Sequence, residues 1–184
     1  MKITFKDGTS QDIEKGLTVG AAMKACGLPV GTDVLAAKVN GVVVDLSRPL
    51  TEDAVVEPVR FDTAEGREVY RHSSTHIMAQ AVKEVFPTAQ VTIGPALEDS
   101  FFYDFAFERP FTPEDLEKIE ARARDIIKRN LPVTRKELTK QEAIQFFQSR
   151  GEAYKVELIQ GFPRSEEHTS ELQSLAYLVC RLLL

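Results

Sequence analysis

Asn40-Gly41, set between the β-branched runs Val34 to Val39 and Val42 to Asp45, constrains the fold more than any other pair of residues in the chain. A two-residue hairpin turn demands positive φ at both central positions, which Asn-Gly tolerates, so the runs on either side are predicted to pair antiparallel. The pattern upstream is similar. Ile3 and Phe5 alternate with polar neighbours, Asp7-Gly8 supplies a second tight turn, and Ile13 belongs to the returning strand. Thr18 can cap a short helix from Val19 to Cys26, which Gly27 ends, and Ala54 to Phe61 adds one more strand. The order strand, strand, helix, strand, strand, strand predicts a β-grasp sheet with a helix lying across one face.

Beyond this unit the hydrophobic period changes. Asp62 to Glu68 is polar and contains Gly66, so it reads as a linker that divides a first domain, 1–61, from a second, 62–163. From Val69 the pattern is helical. Ile77, Ala81 and Val85 form one stripe at 100° per residue, and His72, His76 and Lys83 form nearly the opposite one. Pro87 stops that helix, Gln90 to Ile93 is a short strand, Gly94-Pro95 turns the chain, and Phe101 to Phe107 runs as a buried strand.

Thr112-Pro113-Glu114-Asp115 has the cap, first-turn proline and acidic residues of a helix start. Leu116, Ile119, Ala123, Ile126 and Ile127 follow at helical spacing, and Asn130 before Leu131-Pro132 ends the run. Val133 to Leu138 is then a strand. Thr139 and Glu142 make a capping box for a helix with Ile144, Phe146 and Phe147, closed by Gly151. Tyr154, Val156 and Leu158 alternate with Lys155 and Glu157, which predicts a half-buried strand carrying Lys155 on its other face. The fold class is α+β.

At 184 residues, with 43% apolar and 28% charged residues, the chain has the composition of an ordinary globular protein. A net charge of -5 opposes a surface that grips nucleic acid everywhere by counterion release, so any such contact must be local. Lys118, Arg122, Arg124, Lys128, Arg129, Arg135, Lys136 and Lys140 form the densest basic stretch, but Glu114, Asp115, Glu117, Glu120 and Asp125 are interleaved with it, as on a solvated helix face. Two cysteines, Cys26 and Cys180, are too few for a disulfide framework or a thiolate cage, and no signal peptide is evident, so the cytoplasm is the expected compartment.

Arg164 to Ser174, RSEEHTSELQS, reads as a translated sequencing adaptor, so 164–184 is taken as a non-native tail in which His168 and Cys180 carry no weight. Its apolar end, Leu175 to Leu184, is well short of the ~20 residues a membrane-spanning helix needs, and no membrane partner is expected.

His72 and His76, four residues apart, project from one helix face and can converge on a metal, a water or a carbonyl. For an arbitrary pair at this spacing, local hydrogen bonding is the more common explanation. Ester hydrolysis would need a positioned water, a group of near-neutral pKa to take its proton and a donor for the oxyanion, needs that histidine and lysine meet. A metal would need further ligands, and the sequence offers no convincing third one, so no metal is expected.

RHSSTHIMAQAVKEVFPTAQVTIGPALEDSFFYDF, the later GEAYKVELI and the preceding β-grasp unit together resemble the N-terminal part of bacterial threonyl-tRNA synthetases, from Met1 to about Pro163. The resemblance implies a TGS domain followed by part of an editing domain that hydrolyses serine misattached to tRNA(Thr). It implies that His72 and His76 are the first histidine pair of the editing cleft and that Lys155 lines the same cleft. Tyr103 and Asp104 are expected to be core and turn residues before cleft residues. The second pair of the family, C-x-x-x-H, has no counterpart here.

The same resemblance implies tRNA(Thr) as partner and a homodimer formed through domains this chain lacks. ATP, magnesium and zinc would serve the absent synthetase core, and no cofactor is expected in the region present. The chain alone is expected neither to form aminoacyl-tRNA nor to edit efficiently. The alternative is a stand-alone TGS-type module that binds RNA or protein without catalysis.

Overall fold

The computed structural model describes residues 1–92, 94, 100–131 and 138–162. They form two compact units, Met1–Arg71 and one beginning at His72.

The first unit is a five-stranded mixed sheet with one helix. Strands β1 (Lys2–Phe5), β2 (Ser10–Asp12), β3 (Val34–Val39), β4 (Val42–Val44) and β5 (Ala54–Arg60) lie in the order β2-β1-β5-β3-β4. Only β1 and β5 run parallel, with Ile3 beside Ala54 and Phe5 beside Val56. This is the predicted β-grasp arrangement. Asn40 and Gly41 both take positive φ, 51° and 84°, which brings Val39 opposite Val42. Helix α1 (Val19–Ala25) is capped by the Thr18 hydroxyl, which accepts from Ala21 N.

Val19, Ala22 and Met23 of α1 are buried in one core with Ile3, Phe5, Val34, Ala37, Val44 and Val56. Fully burying one such aliphatic side chain stabilises the fold by about 1.5–3 kcal/mol, so this cluster is what holds the sheet and helix together. Pro58, within the central β5, is tolerated because β1 pairs with β5 only as far as Val56. Its missing N–H therefore forfeits no bond to that strand.

Helix α2 spans Ala64–Val85, so Asp62 to Glu68 is not a linker beyond its first two residues. The Thr63 hydroxyl accepts from Gly66 N and donates to the Arg60 carbonyl, starting the helix directly after β5. Gly66 is required there, since a Cβ would lie 1.8 Å from the Arg60 carbonyl oxygen. Within the first unit the start of α2 is tied down by an ion pair between Lys38 and Glu65 and by an edge contact between Phe61 and Tyr70, 5.1 Å between ring centroids.

In the second unit, β6 (Gln90–Val91) pairs antiparallel with β7 (Phe105–Ala106). Both strands are shorter than predicted; Ile93 and Pro95 lie outside the described residues. Helix α3 (Pro113–Arg129) has a full capping box between Thr112 and Asp115 and ends on Asn130 in the left-handed region. Ile119 and Ile126 of α3 pack with Ala81, Val82 and Ala89. Leu116 and Ile127 are instead exposed, because on the wheel they sit about 70–90° to one side of the Ile119–Ile126 line.

The predicted strand Val133 to Leu138 falls outside the described residues except for Leu138, and the tail, 164–184, falls outside them entirely. Helix α4 (Lys140–Gln148) starts at the predicted Thr139–Glu142 capping box. The last described element is helix α5 (Ala153–Gln160), where a strand was predicted. Ala143, Phe147 and Ile159 form the core between α4 and α5. Lys140 Nζ reaches across to donate to the carbonyls of Gln160 and Phe162, at 3.1 and 2.6 Å.

The alternation of Tyr154, Val156 and Leu158 misleads because Lys155 and Ile159 are also four apart. Gly151, at φ 70°, turns the chain so that this second pair faces inward. Tyr154 and Leu158 are exposed, while Lys155 is 6% exposed, the reverse of the predicted strand.

Candidate active site

The site is built on the face of α2 that carries His72, His76 and Lys83. One turn apart, the two imidazoles meet edge to face, with Nε2 to Nε2 at 3.0 Å and ring centroids at 4.6 Å. A nitrogen-to-nitrogen hydrogen bond needs one donor and one acceptor, so one ring carries a proton on Nε2 and the other does not. The pair therefore offers an imidazole whose tautomer is set by its neighbour. Thr75, buried beside it, donates its hydroxyl to the His72 carbonyl at 2.6 Å.

His76 is 4% exposed. The helix face opposite the Ile77–Ala81 stripe is thus covered as well, and α2 is a central helix in its second half rather than a one-sided amphipathic one.

The helix that bears Lys155 reaches α2 by way of Glu152. Glu152 precedes α5 as its N-terminal flanking residue, is 4% exposed, and forms an ion pair with Lys83 of α2 at 3.2 Å. Lys155, one turn further along α5, has its Nζ 5.5 Å from the Phe147 ring centroid. Burial pulls the amine down to about 8, opposed by the Glu152 carboxylate and assisted by the nearby cations Lys83 and Arg150. Seven residues separate His76 from Lys83, about 10 Å along the helix axis. The histidines are in mutual contact; Lys155 stands at the Lys83 end of their stripe.

Tyr103 stacks on Phe105, 5.1 Å between centroids, and a Cβ at Gly94 would lie 2.1 Å from its ring. Its hydroxyl is pushed up to about 12 by burial and by the Glu152 carboxylate. Tyr103 is therefore both a packing residue and a neighbour of the charged cluster. Asp104 is exposed, and its carbonyl accepts from Thr92 N and Oγ1, which extends the β6-β7 pairing.

Sequence reasoning placed Lys83 on the histidine stripe without a role and missed Glu152. The signal available was the three-residue step from Glu152 to Lys155, uninformative while the segment read as a strand.

The basic stretch is largely compensated. Arg124 pairs with Glu120, Arg122 and Arg129 pair with Glu84 and Asp125, and Lys118 lies 3.9 Å from Asp115. Lys140 is taken up by the carbonyls after α5. Arg135 and Lys136 lie outside the described residues. Among the described residues no group of three His, Cys, Asp or Glu side chains converges as a metal site, and no helix is long and apolar enough to cross a membrane.

Comparison with known proteins agrees with this architecture. The TGS domain family matches residues 1–59. Threonine-tRNA ligase of Symbiobacterium thermophilum is 48% identical over 164 residues, which is 89% of this chain and 25% of the ligase. The threonine-tRNA ligases of Desulforamulus reducens and Methylococcus capsulatus are 47% and 46% identical, each over 89% of this chain and 26% of their own length. The chain thus spans about a quarter of the length of the curated relatives it matches. It has a TGS domain at its N-terminus and corresponds to the N-terminal portion of threonine-tRNA ligase homologues.

Proposed function

We propose that the unit containing the histidine pair, the N-terminal part of an editing domain within 62–163, serves in hydrolysis of the ester of a mischarged Ser-tRNA(Thr). His72, His76 and Lys155 would position or activate the water, and the acceptor end of tRNA(Thr) would be the ligand. The observation that carries this reading is the helix α2 itself. One face presents a hydrogen-bonded histidine pair whose His76 is buried and, through Lys83 and Glu152, receives the helix that bears a buried lysine.

The chemistry suits ester hydrolysis. An imidazole with an unprotonated nitrogen can take a proton from water, and a group working this way contributes typically 10²–10⁴-fold. A lysine held at about 8 is mostly protonated at neutral pH and can donate to a developing oxyanion. Aminoacylation itself, with ATP, magnesium and zinc, belongs on this reading to the remainder of a full-length ligase, where the homodimer would also form.

The test is a chimera in which this chain's sequence replaces the matching quarter of a threonine-tRNA ligase. His76→Ala and Lys155→Ala are each expected to lower Ser-tRNA(Thr) deacylation about a hundredfold, with threonine attachment unchanged. Deacylation at the parental rate in both variants would overturn the reading. The TGS match over residues 1–59 favours a second contribution, binding of RNA or protein by the first unit. Deleting that unit from the chimera should then weaken tRNA binding while leaving the deacylation rate at saturating tRNA intact.

A further inference from the structure

We propose that Glu152, anchored by Lys83, is the positioning residue of Lys155: it stands one helical turn before the buried amine, as its counter-charge at the start of α5. The inference rests on reading Lys155 as a working group of the hydrolytic site and adds two residues to it.

Three observations support it. First, Glu152 is almost wholly buried, and its carboxylate is held from one side only, Oε1 by Lys83 at 3.2 Å. The other oxygen, Oε2, is buried without a hydrogen-bond partner among the described residues. A buried carboxylate oxygen left unsatisfied is costly and uncommon, and the buried amine one helical turn further along α5, though not hydrogen-bonded to it, carries the charge that offsets that cost. Second, Glu152 makes no side-chain cap bond to the α5 backbone. Its carboxylate is therefore not consumed by helix capping, the usual task of an acidic residue at that position.

Third, the charges around Lys155 are asymmetric. Lys83 from α2 and Arg150 from the turn before α5 are like charges, Phe147 from α4 presents a ring, and Tyr103 is a neutral neutral-pH neighbour of Glu152. Among the described residues, Glu152 is the anion that favours the charged amine. Removing it leaves burial and two cations, all of which expel the proton. Removing Lys83 does the opposite, since it deletes a repelling cation and frees Glu152 for Lys155 alone.

The test uses the 184-residue chain with lysine labelled at 13Cε, the Lys155 resonance being assigned by its loss in Lys155→Arg. In Glu152→Gln the midpoint of the Lys155 titration is expected to fall by more than about one unit, a tenfold gain in neutral amine at a given pH in the transition. In Lys83→Met the midpoint is expected to rise. A midpoint in Glu152→Gln that stays at the wild-type value, or rises, overturns the proposal. Should Glu152→Gln lose its dispersed spectrum, Lys83→Met decides alone: an unchanged or lowered midpoint overturns the proposal.

The readout is independent of hydrolysis. If the midpoint moves as expected while Lys155→Ala leaves deacylation by the chimera untouched, the charge arrangement stands and the hydrolytic reading fails. If the midpoint does not move while Lys155→Ala abolishes deacylation, the reverse holds.

Discussion

Lys155 is the residue at which burial and charge are in sharpest conflict. A free lysine titrates near 10.5, and this one is pulled down to about 8. Below pH 8 it is charged in both folded and unfolded chains, and the folded state bears the cost of the buried charge. Between 8 and 10.5 the unfolded chain binds the proton and the folded one does not, so stability contributed by this group rises with pH across that window and is fully present above it. A shift of this size corresponds to a cost on the order of 3 kcal/mol at neutral pH. Lys155→Met is therefore expected to be more stable than the parent at pH 7, with the advantage shrinking as pH is raised towards 10, measured by urea unfolding at each pH. Tyr103 acts in the opposite sense but later. Its neutral form is favoured by folding, so its contribution is present below pH 10 and is lost only as pH rises towards 12.

Among the elements, α2 shows how a backbone position can outweigh helix propensity. Alanine is better than glycine inside a helix by about 1 kcal/mol, yet at position 66 a Cβ would press against a backbone carbonyl. Overpacking of this kind typically costs about 1–3 kcal/mol, so the clash should win. Gly66→Ala is expected to lower stability, read as a fall in the chemical denaturation midpoint. Gly66 also explains why the start of α2 resembled a linker. The segment is polar because its first turns are mostly exposed, and its glycine serves the carbonyl of Arg60 instead of a flexible hinge.

The β-grasp order was legible because it rests on local chemistry: Asn40-Gly41 and Asp7-Gly8 set turns, and strand alternation places Ile3, Phe5 and Val56 inward. The capping boxes at Thr112 and Thr139 were legible for the same reason. Helix α5 was not, because Tyr154 to Leu158 satisfies a period of two and a period of 3.6 equally, and packing of Ile159 and Phe147 decided between them. The contact of His72 with His76 could be read from their four-residue spacing, whereas a hydrolytic role for them came only from the resemblance. Glu152 could not, since its partner Lys83 is remote in sequence and the contact exists only once α5 is a helix.

At the scale of the whole molecule, the division between the two compact units falls inside α2, between Arg71 and His72. The sheet unit should therefore need the first turns of that helix. A piece ending at Arg71 keeps the Lys38–Glu65 ion pair and the Phe61–Tyr70 contact, whereas one ending at Phe61 loses both. Contacts of these kinds contribute about 0.2–1.5 kcal/mol each. For a domain of this size each kcal/mol moves Tm by about 4–8 °C. The longer piece is expected to melt several degrees higher by circular dichroism; equal melting temperatures would show that the helix start contributes nothing to the sheet.

The lysine that spans from α4 to the end of α5 gives the molecule a point of chemical control. Its ammonium occupies carbonyls at the negative end of the α5 dipole, where a cation is favoured and where the last turn of a helix otherwise lacks partners. Acetylation would remove that charge and two of its donors in a single step. The α4-α5 hairpin would then lose a polar tie beside its apolar core, and the same helix carries the buried amine of Lys155. A modification at a half-buried amine could in this way loosen the seat of a wholly buried one without touching it.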